Sequence, residues 1–264
     1  LSNDVDKFKI MKWRNDQIYH LRQKEKLTIQ SQKRYFKEVI DTLFENELPP
    51  QLLFSILKEG KLVAYGGLVH IDWDSKLSEL SLIINTNLEK LYFKEIWMKF
   101  LKFSKYLAFS KLSFEKIFTY AFDVRPVLYS ILEQSGFILE AKLRNHVRIK
   151  KKQYDVIIHS FCNPHSGFYL EEAQYSDKIQ LLDWANEFNV RKNSLNSNII
   201  TQEDHDEWFE SKIKNPNCKI YIAKNIISNN LGQIRLDLKN NIWYIDYSVD
   251  YSIRGLGLVR LLVQ

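Results

Sequence analysis

Apolar and polar positions alternate along most of the first part of the chain in two clear periods, and the change from one to the other predicts its elements. From Phe8 to Ile40 the spacing is helical: Trp13-Arg14-Asn15-Asp16 leads into a polar turn, and a second helix starts at Thr28-Ile29-Gln30-Ser31-Gln32 and runs through Tyr35-Phe36. Glu47-Leu48-Pro49-Pro50 stops it. A period of two then predicts strands at 52–57 and 62–70, joined by Glu59-Gly60-Lys61, and a third at 77–85. Phe93, Trp97, Phe100, Leu101, Tyr106 and Leu107 return at helical spacing over 91–110. A strand at 116–122, a helix at 126–135 stopped by Gly136, and strands around 139–149 and 155–161 complete the block. Asn163-Pro164-His165-Ser166-Gly167 is the best boundary in the chain, so we expect domains at 1–163 and 164–264.

Beyond that boundary the pattern starts again. Leu182-Asp183-Trp184-Ala185-Asn186-Glu187 echoes Met11 to Asp16, and Arg191 echoes Arg22. Ile199 to Phe209 echoes Thr28 to Phe36, Leu231-Gly232-Gln233-Ile234 echoes Tyr65-Gly66-Gly67-Leu68, and Tyr244 to Asp250 echoes Glu79 to Asn85. Five echoes in one order predict two copies of a single α/β unit, the second lacking its last third.

The sharpest local signal lies in that second copy. A strand-like run, Ile242 to Val249, is followed by Asp250-Tyr251-Ser252-Ile253, then Arg254-Gly255-Leu256-Gly257-Leu258-Val259 and an apolar helix start. A strand, a glycine-bearing loop and a helix start form a joint whose backbone N–H groups and dipole suit a pyrophosphate. Gly255 and Gly257 would let a ligand approach the backbone. The loop has neither a Gly-Lys-Ser/Thr ending nor the dinucleotide fingerprint spacing.

Composition narrows the classes. A length of 264 residues with 45% apolar content is enough for two packed cores. The net charge of +6 is spread among interspersed lysines and acids, without the basic face and stacking aromatics that nucleic acid needs. Two cysteines, Cys162 and Cys218, lie far apart and predict a reducing compartment. No run approaches 18 apolar residues and no signal peptide is evident, so we expect a cytoplasmic protein away from the membrane. His70, His146 and His159 have no carboxylate or thiol at ligand spacing, and no metal is expected. Leu1 at the start and Gln264 inside an apparent helix read as cut ends.

Arg254-Gly255-Leu256-Gly257-Leu258-Val259 resembles the Arg/Gln-x-x-Gly-x-Gly/Ala loop of the GNAT superfamily of acetyl-CoA-dependent acetyltransferases, with Val259 in place of the last small residue. The element order of the first copy is similar to the GNAT fold. The resemblance implies an α/β (α+β) class: two tandem GNAT-like domains, each a mixed, mostly antiparallel sheet flanked by helices. In that fold a central strand splays from its neighbour and acetyl-CoA enters the gap as a pseudo-strand. The implied cofactor is acetyl-CoA, held by Tyr247, Ser248, Val249, Arg254, Gly255, Leu256, Gly257, Leu258 and Val259. The run from Trp184 to Phe209 resembles more narrowly the bacterial N-acetyltransferases that act on nucleotide-linked amino sugars, with Ala185 in place of the usual Arg.

The expected activity is acetyl transfer from acetyl-CoA to an amino group, on a nucleotide-linked sugar or, alternatively, on a protein or small amine. A non-catalytic tandem module is the rival class. The chemistry needs a positioned, deprotonated amine, donors for the carbonyl oxygen and an acid for the thiolate, with proximity supplying much of the rate. Asp246, His205 and Glu203 are the candidate bases, and Arg191 the candidate contact for an acceptor phosphate. The acid, a tyrosine on the helix after the next strand in many GNAT enzymes, would fall beyond Gln264. In the first copy Glu89, Lys90 and Tyr92 align with Arg254, Gly255 and Gly257, placing a carboxylate where a pyrophosphate should lie. Arg125 and Leu128 stand where the family has Asn and Ser, although Leu132-Glu133-Gln134-Ser135-Gly136-Phe137 stays close to its pattern. We therefore expect the first copy to be a degenerate structural or acceptor-binding partner, packed tightly on the second, with a homodimer also allowed.

Overall fold

Each helical run of the first part folds where its capping residues let it start. The computed structural model describes residues 4–149, 151–225 and 229–262, in two compact units, Leu1–Asn163 and Pro164–Gln264. Helix α1 (Asp4–Asp16) has Asp4 and Asp6 in its first turn and Arg14 in its last, which suits the helix dipole. Helix α2 (Ile29–Tyr35) begins at Thr28, whose side chain accepts from the Ser31 amide while Ser31 returns the bond. It widens into a π turn (Phe36–Ile40) and then tightens into a 3-10 turn (Asp41–Glu45), neither of which the periodicity signals.

Strands β1 (Leu52–Lys58), β2 (Lys61–Asp72) and β3 (Leu77–Ile84) form an antiparallel meander. Helix α3 (Thr86–Lys105) and a π turn (Tyr106–Lys111) lead to β4 (Lys116–Phe122). Helix α4 (Pro126–Gln134), with proline in its first turn, connects to β5 (Ile138–Ile149) and β6 (Lys152–Cys162). The sheet order is β1-β2-β3-β4-β6-β5, and β3–β4 is its parallel pair. Ile10, Trp13, Phe36, Ile40, Leu62 and Ile83 pack as one cluster between α1, α2 and the sheet. Nearly all of β3 is buried, at both alternating sets of positions, so the strand is covered on both faces.

The second unit contains β7 (Tyr169–Glu172), α5 (Lys178–Asn186), α6 (Phe188–Lys192), α7 (Gln202–Ile213), β8 (Cys218–Lys224), β9 (Asn230–Lys239), β10 (Ile242–Val249) and α8 (Leu258–Leu262). Its antiparallel sheet runs β10-β9-β8-β7. Trp184, Phe209, Ile220 and Ile222 lead its core, and β10 is exposed along most of its length.

Some local devices recur in both units. Asn15 donates to Leu27 O at 2.9 Å and accepts from Leu27 N at 2.7 Å; Asn186 does the same with Ile200 O and N at 2.8 and 2.9 Å. Thr28 and Thr201 each cap the helix that follows. The amides of Asn85 and Asp250, just past β3 and β10, donate to Val63 O and Leu231 O, both at 2.9 Å. That register sets Leu231 against Val63, two residues away from the Tyr65 that the sequence echo suggested. The glycine echo is displaced because each unit needs its glycine wherever two backbones crowd: a Cβ on Gly66 would lie 2.1 Å from Ser81 O, and one on Gly232 2.4 Å from Ser248 O.

Candidate active site

Strands β3 and β4 are hydrogen-bonded only through Leu77–Glu79 and Lys116–Phe118, and then diverge. Residues 80–82 of β3 and 119–122 of β4 then line a cleft of about 400 Å³. Unpaired strand edges present N–H and C=O groups to whatever enters, so the gap can receive an extended amide-bearing chain as an added strand.

Charged side chains from distant parts of the sequence meet around this gap. Arg22, from segment 17–28, pairs with the buried Glu79 of β3 and lies over the Tyr120 ring of β4, 4.2 Å from its centroid. Its other terminal nitrogen is 3.3 Å from His70 Nε2. Arg125, at the start of α4, pairs with Glu89 of α3, lies 4.7 Å from the Phe93 centroid and contacts His20 Nε2 at 2.9 Å. Burial, with Arg125 next to it, lowers the His20 pKa to about 3 and keeps the ring neutral. Gln17 ties the end of β3 to α1 by donating to Ile84 O at 2.7 Å. Glu89, the carboxylate counted against an anion here, is thus neutralised by the same Arg125 that departs from the family pattern. Sequence spacing could not bring those two together, because they lie on separate helices.

A tyrosine also stands on the helix after β4. Tyr129 of α4 donates to Phe122 O at 3.3 Å and to Asp123 Oδ1 at 3.1 Å. Burial, with help from Asp123, raises its pKa, so the hydroxyl keeps its proton.

Asp246, exposed on β10, pairs with Arg235 of β9 at 3.2 Å. Tyr247 is exposed, Ser248 half-buried and Val249 buried at the strand's end. His205 is buried in α7 beside Trp208 and Phe209, and burial lowers its pKa; Glu203 is exposed in the first turn of that helix. Arg191 donates to the carbonyls of Ala185 (2.7 Å), Asn196 and Asn198 (both 3.3 Å) and to Ser194 Oγ (3.1 Å), which folds its own loop. Arg254 is held by Val249 O at 2.9 Å and Glu187 at 2.6 Å. Gly255 and Gly257 have φ of +81° and +88°, and a Cβ on Gly255 would meet nothing within 4 Å. The Leu256 amide donates to Ile253 O at 3.3 Å and its carbonyl meets His165 Nε2 at 2.5 Å, while Leu256 and Leu258 are buried and Val259 half-buried.

A family model described as an acetyltransferase (GNAT) domain matches residues 2–158, more than half of the chain. The chain belongs to the GNAT acetyltransferase family. Its cofactor is accordingly acetyl-CoA, and the matched residues are those of the unit with the splayed strands. Among solved structures, the GNAT chain is similar to a spermidine N-acetyltransferase from Vibrio cholerae in complex with CoA and spermine. The identity is 16% and the TM-score 0.52, over 61% of this chain and 92% of that one. A mutant of the spermidine enzyme is similar at 17% identity and TM-score 0.50, over 61% and 91%. An N-acetyltransferase from Staphylococcus aureus is similar at 12% and 0.50, over 61% and 94%. At these identities the likeness is one of fold. No curated protein matches by sequence. Among the described residues of this GNAT chain, no helix is long and apolar enough to cross a membrane and no three His, Cys, Asp or Glu side chains group as metal ligands.

Proposed function

We propose that acetyl transfer takes place in the first unit, in the gap between β3 and β4, and that the acceptor is an amine entering from the side of α1 and α2. The observation that carries this reading is the short parallel pairing, Leu77–Glu79 with Lys116–Phe118, that opens into the cleft. The open edges of β3 and β4 hold the pantetheine amides. Arg125, already paired with Glu89, lies at the mouth. Acetyl-CoA brings a thioester whose acyl carbon an amine attacks. The chain contributes alignment, worth several kcal/mol (on the order of 7–11 at best), while the Tyr129 hydroxyl, which donates to Phe122 O and Asp123 outside the cleft lining, takes no part. For the acceptor, the spermidine enzymes support a small amine, whereas the resemblance of the run from Trp184 to Phe209, in the second unit, supports a nucleotide-linked amino sugar only if the site lies there.

A second reading sets acetyl-CoA on the Arg254–Val259 loop of the second unit, with Asp246, His205 or Glu203 as base and Arg191 toward the acceptor. It is favoured by the open space at Gly255. Calorimetric titration with acetyl-CoA separates the two. Ala121→Trp, which fills the cleft from β4, abolishes binding under the first reading, and Gly257→Glu leaves it intact. The reverse result sinks the first reading and supports the second.

A further inference from the structure

Three arginines line the β3–β4 cleft: Arg14, Arg22 and Arg125. Arg22 is paired with Glu79 and Arg125 with Glu89. Arg14, in the last turn of α1, has no carboxylate partner among the described residues; its Nε donates to Gln23 Oε1 at 3.2 Å, and its two terminal nitrogens make no further hydrogen bond there. It stands where the cleft continues into a smaller pocket of about 200 Å³, which Tyr35 of α2 and Tyr65 of β2 also line.

We propose that this pocket receives an anionic group, carboxylate or phosphate, carried by the amine that is acetylated. The proposal rests on the first unit being the transferase site and names the substrate class of that site. Arg14 is half-buried with no counter-charge beside it, so its guanidinium is poorly compensated where it lines the pocket, and its fixed fork matches the two oxygens of a carboxylate or phosphate. Burial lowers the Arg14 pKa, yet a guanidinium stays charged at any working pH. Tyr35 and Tyr65 line the same pocket as Arg14, and burial raises the Tyr65 pKa, so its hydroxyl keeps a proton to donate to the same anion. The lining also disfavours a polycation. Glu79, the carboxylate among the cleft-lining residues, already serves Arg22, so a polyamine would meet Arg14 with no acid to hold it.

The test compares matched amines: a free amino acid against its amide, phosphoethanolamine against ethanolamine, and spermidine. CoA release gives kcat/KM, and calorimetry without acetyl-CoA gives direct binding. In the unmodified protein we expect the anionic member of at least one pair to be favoured about 10- to 100-fold, the size of a charge-assisted hydrogen bond. The pair with the larger ratio tells carboxylate from phosphate. Arg14→Gln brings that ratio close to one, and Tyr65→Phe lowers it by a smaller factor, both in variants whose thermal melts show a folded chain. The proposal is overturned by a preference for spermidine or for the neutral members, or by an anionic preference that survives both substitutions. If no amine is acetylated, calorimetry decides. Anion binding weakened by Arg14→Gln keeps the pocket while removing the transferase reading, and binding that Arg14→Gln leaves unchanged removes the pocket.

Discussion

His20 shows how one side chain ties the cleft to solution conditions. Its ring is half-buried against Arg125, and its pKa falls from 6.5 to about 3. In the unfolded chain the same imidazole takes up a proton near pH 6.5. Between those two values the unfolded state binds more protons than the native one, so the stability present above pH 6.5 is lost as pH falls toward 3. Burial lowers His159 and His205 as well, which acts in the same direction. Denaturant melts should therefore lose up to about 1.4 kcal/mol per pH unit from His20 between pH 6 and 4. His20→Gln should flatten that slope. An unchanged slope would mean that Arg125 has a different partner.

At the scale of the element, Asn15 and Asn186 each clasp a backbone N–H and C=O at the turn before the next helix. Asn15→Ala and Asn186→Ala should each destabilise their own unit by about 1–3 kcal/mol, because two backbone groups lose their partners. Urea denaturation followed by hydrogen exchange assigns the loss to its unit, and a loss below about 0.5 kcal/mol in both would rule out the clasps as fold-holding devices. Strands β2, β3 and β4 were legible in the sequence, since each is a mainly apolar run of strand length, bounded by turn residues in the case of β2 and β3. The π turns at Phe36–Ile40 and Tyr106–Lys111 were not, because a single turn with i→i+5 bonds is too short to establish a period of its own against the α-helix it continues. Strand β7, four exposed residues, has no alternation in burial to betray it. The cleft was the least legible part. Arg14, Arg22, Glu79 and Arg125 come from a helix, a loop, a strand and a helix start, and only the sheet order brings them together. The glycine loop drew attention instead, being a local signal.

Across the whole molecule, acetyl-CoA bound in the first unit should stabilise that unit by mass action, about 2.7 kcal/mol at a concentration one hundred times Kd. Hydrogen exchange should slow in Leu77–Ile84 and Lys116–Phe122 and leave Ile242–Val249 unaffected. Slowing confined to Ile242–Val249 and the residues after it would move the donor to the second unit. Arg22 adds one thing more. It grips a carboxylate on one diverging strand and rests on an aromatic ring of the other, so it rides on both banks of the fork. Prying the strands apart must tug segment 17–28, and that stretch carries His20 and leads on from Arg14. A guest that parts the two strands therefore has to draw Arg22 off one of its two holds.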